Sequence, residues 1–153
     1  MQINKHLKSS LESLYKLSFL TKPLPEHPFG KKIRAKKEKY FELYNKAINQ
    51  DDKKVIDFEK KCGFEINKEW LNDLALHTQI VIKKEELNFF HGRLLYSLLS
   101  KYTNNKKSNN YNKPFIIMET GTARGFSSIC MAKALIDQNC AGIVTTIDCI
   151  PHE

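Results

Sequence analysis

The sequence predicts an α/β fold, and three observations predict it. An apolar run from Phe115 to Met118 follows Pro114 and ends in an acid, Glu119. Gly121 and Gly125 then frame a loop that leads into a helix-like stretch. A second strand-like run, from Gly142 to Ile147, also ends in an acid, Asp148. Strand, glycine loop, helix and strand make up half of a nucleotide-type binding fold.

From the N-terminus, residues 3–20 read as a helix with Ile3, Leu7, Leu11 and Leu14 on one face. Prolines at 23, 25 and 28 and Gly30 mark a connecting loop, where His27 reads as a solvated residue. Residues 31–49 form a second helix candidate, with Ile33, Tyr40, Tyr44 and Ala47 as its stripe. Its start, Lys31 to Lys39, is the densest basic run; such runs are commonly solvated helix faces. Asp51 or Asp52 caps a short helix that turns Val55, Phe58 and Cys62 inward and ends at Gly63.

Residues 67–82 read as helical, with Trp70, Leu74, His77 and Val81 on one side and His77 as a core histidine. The next helix starts near Glu85 and Glu86, acids suited to a first turn. Leu87, Phe90, Leu94, Leu95, Leu98 and Leu99 give it a helical apolar pattern. Gly92 interrupts that pattern; a helix-interior glycine costs about 1 kcal/mol against alanine, so it points to a close packing partner. The organisation read from these signals is a helical region at 1–102, a polar loop at 103–113, and strand-containing chain at 114–153. After the glycine loop, Ser127 reads as an N-cap, with Ile129, Ala132, Leu135 and Ile136 on one helical face. The apolar run at Phe115 suits a strand covered on both faces.

The 153 residues, 41% hydrophobic and 27% charged, suit one globular domain. Net charge is +8, mostly lysine spread over several segments, which reads as a solvated surface. Cys62, Cys130, Cys140 and Cys149 show no metal-ligand spacing, and the last three read as small apolar fillers, pointing to a reducing, cytoplasmic compartment. No metal site is expected. Charged residues interrupt the N-terminal stretch, unlike a signal peptide, and no apolar run reaches membrane-spanning length.

The loop chemistry narrows the ligand. A dinucleotide fingerprint has three glycines, and Ala123 stands where the second would fall. Glu119 at the strand mouth repels a pyrophosphate and attracts a cation. S-adenosylmethionine carries an ammonium and a sulfonium and no phosphate. Asp148 is placed to accept from both ribose hydroxyls, and the helix start with Ser127 suits a carboxylate.

The stretch E-T-G-T-A-R-G-F-S at 119–127 resembles the first motif of class I S-adenosylmethionine-dependent methyltransferases. Its E-x-G-x-x-x-G-x-S form is similar to small-molecule O-methyltransferases of the catechol and caffeoyl-CoA type. T-T-I-D-C-I-P at 145–151 resembles that superfamily's second motif. The resemblance covers about residues 114–150. It implies a Rossmann-like class I methyltransferase fold, preceded here by a mostly helical region. It implies S-adenosylmethionine as cofactor, with Glu119, Gly121, Gly125 and Ser127 on the methionyl end, Asp148 on the ribose, and Thr122 and Ala123 also among the cofactor-binding residues. That superfamily carries a seven-stranded sheet, so the chain is expected to be a fragment truncated after the second strand. Its two strands are expected to leave open edges and apolar surface exposed. The family's acceptor-activating groups lie downstream of the second strand, so no catalytic residue is assigned.

The function expected is methyl transfer to a small-molecule acceptor at oxygen. The alternatives are an RNA methyltransferase, motivated by the basic run, and a non-catalytic remnant that keeps only the binding motif. A nicotinamide-dependent oxidoreductase is disfavoured by Glu119 and Ala123. His91 and Arg93, on the helix before the first strand, are second-tier site candidates, against helix packing and a surface arginine. Self-association is left open.

Overall fold

The computed structural model describes residues 35–82 and 86–148. The helix read at 3–20, the proline loop with His27, and Ile33, Glu85 and Cys149 lie outside the described residues.

Helix α1, Lys37–Ile48, buries Ala47 and packs Tyr40, Tyr44 and Ile48 against the core, a spacing of one helical face. Of the basic run, Lys31, Lys32 and Arg34 lie outside the described residues, while Lys37 lies over the Phe41 ring and Lys39 pairs with Glu42. Helix α2, Lys53–Cys62, opens on Asp52, whose carboxylate accepts from the Lys54 N–H at 2.7 Å. It closes on Gly63 at φ +80°, a left-handed cap that glycine adopts without strain. Helix α3, Lys68–Thr78, is capped by the Asn67 side chain accepting from Trp70 N–H. It stops short of residue 82 and buries Leu71 and Ala75. His77 is not a core histidine: its side chain is 73% exposed, beside Asp73 one turn earlier.

Helix α4, Phe90–Ser108, begins later and ends later than the apolar pattern predicts. Residues 103–108, read as polar loop, continue the helix, and Lys106 and Lys107 in its last turn complement the carbonyl end. Its buried face differs as well. Gly92, Arg93, Tyr96, Ser97, Ser100 and Thr103 are buried, whereas Leu98 is 53% exposed. The reason is close approach. Hydroxyls of Ser97 and Thr103 donate to the Arg93 and Leu99 carbonyls of their own helix, which lets small polar residues pack as apolar ones.

Strand β1, Phe115–Thr120, and strand β2, Gly142–Ile147, pair in parallel, with Phe115 opposite Gly142 and Thr120 opposite Ile147. Helix α5, Phe126–Asp137, makes the crossover that a parallel pair needs. Its buried face is Phe126, Cys130, Met131, Ala134 and Leu135. Ile129 and Ile136, expected inward, are exposed, because α5 meets α4 along the Phe126, Cys130 and Ala134 side.

At that interface the sequence's clue at Gly92 has its partner. A β-carbon there would lie 2.6 Å from the Phe126 ring and 3.0 Å from the Cys130 sulfur. Phe126 is 1% exposed, a burial worth about 1.5–3 kcal/mol. Burial pushes the Cys130 thiol up to about 12, so it stays protonated and serves as filler. Gly142 is equally confined: a β-carbon there would lie 2.8 Å from both the Phe115 carbonyl oxygen and Leu135.

The sheet is covered on one face among the described residues, not on both. Phe115 is buried and Ile117 half-buried on the helix side. Ile116, Met118, Ile143 and Ile147 stand on the other face, 53–82% exposed. Among the described residues no helix is long and apolar enough to cross a membrane.

Candidate functional site

Strand alternation puts Glu119 on the same face as Phe115 and Ile117, toward α5. There its carboxylate accepts from two adjacent hydroxyls in the first turn of α5, Ser127 at Oε1 and Ser128 at Oε2. Ser127 is thus not the N-cap. Gly125 holds that position at φ +81° and supplies no side chain to the first-turn amides. The Ser127 hydroxyl turns back to Glu119 because the glutamate reaches the helix start from the strand mouth. Ser128 was missed in the sequence; its signal was a second serine directly after the motif serine.

The loop between β1 and α5 is built from its backbone. Gly121 sits at φ +80°, and its N–H continues the ladder by donating to the Ile147 carbonyl at 2.8 Å. The Gly125 N–H donates to the Thr122 carbonyl at 2.8 Å and closes the turn. Ala123 takes a left-handed φ of +49°, unusual for a residue with a β-carbon. Its N–H donates to Asp148 Oδ2 at 2.7 Å, so the acid after β2 latches the loop.

The seven residues singled out by sequence therefore gather at the carboxyl ends of two parallel strands. Glu119 and Asp148 both bond the segment between β1 and the first turn of α5, the former through serines and the latter through a loop amide. One feature marks space for a ligand beside this loop. A β-carbon at Gly121 meets no described atom within 4 Å. The Thr122 hydroxyl oxygen is buried without a hydrogen-bond partner among the described residues. A separate cavity of about 30 Å³ between α1, α3 and α4 contains none of the seven.

The second-tier candidates divide. The His91 ring lies 4.7 Å from the Phe126 ring, at the base of the first turn of α5. Arg93 belongs elsewhere and is not a surface arginine. Its guanidinium is buried, donating to Glu59 at 2.8 and 2.6 Å and to Asp51 at 2.8 Å. The Glu59 carboxylate raises its already high pKa, and the group ties α4 to α2. Breaking such a pair leaves an uncompensated buried charge, at about 3–5 kcal/mol. Among the described residues no group of three or more His, Cys, Asp or Glu side chains could hold a metal ion.

No family model, curated protein or solved structure matches the chain.

Proposed function

We propose that this chain is the S-adenosylmethionine-binding part of a cytoplasmic class I methyltransferase with a Rossmann-like fold, acting on a small-molecule acceptor at oxygen. The observation that carries the reading is the pair of carboxylates at the strand mouths, Glu119 bonded to the first turn of α5 and Asp148 to the glycine loop. A carboxylate beside an open glycine turn suits a cationic, phosphate-free nucleoside better than a dinucleotide. When bound, the cofactor supplies a methyl group on an electrophilic sulfonium. Glu119 receives the ammonium of the methionyl end. The first-turn amides of α5, which no side chain caps, receive its carboxylate. Space beside Gly121 lets the ligand approach the backbone. Asp148 accepts from the ribose hydroxyls while holding the loop through Ala123. These residues bind and orient; none is assigned as the base that activates the acceptor.

Calorimetric titration of S-adenosylmethionine into the 153-residue chain and into Glu119→Ala tests the assignment. The variant is expected to bind roughly ten- to hundredfold more weakly, the worth of a charge-assisted hydrogen bond. Equal affinity for both proteins removes Glu119 from the site. NAD in the same titration separates this reading from an oxidoreductase, which would bind it in preference.

A further inference from the structure

We infer that Ser128 is a positioning residue, the hydroxyl that keeps Glu119 aimed at the ligand's ammonium once Ser127 has turned to the ligand's carboxylate. This rests on the cofactor reading above and assigns a division of labour within that site. Both carboxylate oxygens of Glu119 are engaged in the structure, Oε1 by Ser127 and Oε2 by Ser128. A serine hydroxyl has one proton to donate. Ser127 stands at the motif position assigned to the methionyl carboxylate, so it cannot donate to that group and to Glu119 together. Ligand binding therefore draws the Ser127 proton from Oε1, and the ammonium becomes the new donor to that oxygen. The second oxygen stays on Ser128. Adjacent helix residues point about 100° apart, so the two hydroxyls are not interchangeable and each keeps its own side of the carboxylate.

Three ligands separate the two serines: S-adenosylhomocysteine, its decarboxylated amine, and methylthioadenosine, which lacks both groups. Dissociation constants are measured by calorimetry for wild type, Ser127→Ala, Ser128→Ala and Ser128→Thr. Ser128→Ala is expected to weaken S-adenosylhomocysteine and the amine by about tenfold and to leave methylthioadenosine unchanged. Ser127→Ala is expected to weaken S-adenosylhomocysteine and spare the amine. Ser128→Thr, which keeps the hydroxyl, is expected to restore the wild-type pattern. Should Ser128→Ala fail to fold, Ser128→Cys, a weak donor of similar size, carries the test with the same expectation.

Ser128→Ala that binds the amine like wild type overturns the inference and leaves the cofactor reading standing. Equal losses on all three ligands also overturn it, since they mark a structural role. Wild type that binds none of the three overturns the cofactor reading, and the inference with it.

Discussion

Ala123 adopts a left-handed backbone conformation, φ +49°, at the place where a dinucleotide loop carries glycine. For a residue with a β-carbon that conformation costs about 1–2 kcal/mol, and the amide it aims at Asp148 recovers part of it. Ala123→Gly relieves the strain but loosens the unfolded chain, so a net gain of up to about 1 kcal/mol is expected in urea unfolding. Asp51 is the second residue whose surroundings set a measurable property. The Arg93 guanidinium bonded to it holds its carboxyl below the ordinary value of 3.8. A depressed folded-state pKa contributes stability above that ordinary value, lost as pH falls through the lower one. Asp51→Asn is expected to flatten the fall in stability below about pH 3.8, read by unfolding at stepped pH. The effect is small, since the Asp51 side chain is 51% exposed.

Between elements, the α4–α5 contact depends on the missing side chain at Gly92. Alanine there gains about 1 kcal/mol of helix propensity but overlaps the Phe126 ring and the Cys130 sulfur. Overpacking costs about 1–3 kcal/mol, more where the neighbours cannot move, and Phe126 and Cys130 are 1% and 0% exposed. Gly92→Ala is therefore expected to lower the urea midpoint, with a net loss of about 1–2 kcal/mol. Gly92→Ala with Phe126→Leu is expected to recover part of it, since the smaller side chain vacates the space the new methyl needs. Because Phe126 directly precedes the serines on Glu119, the single variant is also expected to weaken S-adenosylmethionine binding more than its distance suggests.

At the scale of the molecule, the sheet is the asymmetric part. One face packs on helices; the other presents Ile116, Met118, Ile143 and Ile147. In parallel register Ile116 stands beside Ile143, and the apolar side chains form a contiguous surface. The 153-residue chain is expected to enhance the fluorescence of anilinonaphthalene sulfonate at neutral pH. Ile116→Lys with Ile143→Lys is expected to abolish most of that signal without lowering the unfolding midpoint by more than about 0.5 kcal/mol equivalent, as for exposed positions. A large loss of stability instead would mean that the face is packed in solution.

Local signals are legible in the sequence. An acid at 51 or 52 and Gly63 bound α2, Glu119 and Asp148 stand at the mouths of their strands, and the break at Gly92 points to a close neighbour; each depends on residues near it in sequence. The sequence by itself determined the order of strands and helices from Phe115 onward and the residues at the glycine loop, because backbone preference and side-chain period are short-range. Only the tertiary structure decided that α4 turns its glycine and hydroxyl residues inward, that Arg93 serves Glu59 across 34 positions, and that Ser128 shares Glu119 with Ser127. Those outcomes follow from which surfaces approach closely and where a buried charge finds its counter-charge, and such pairings leave no period in the chain.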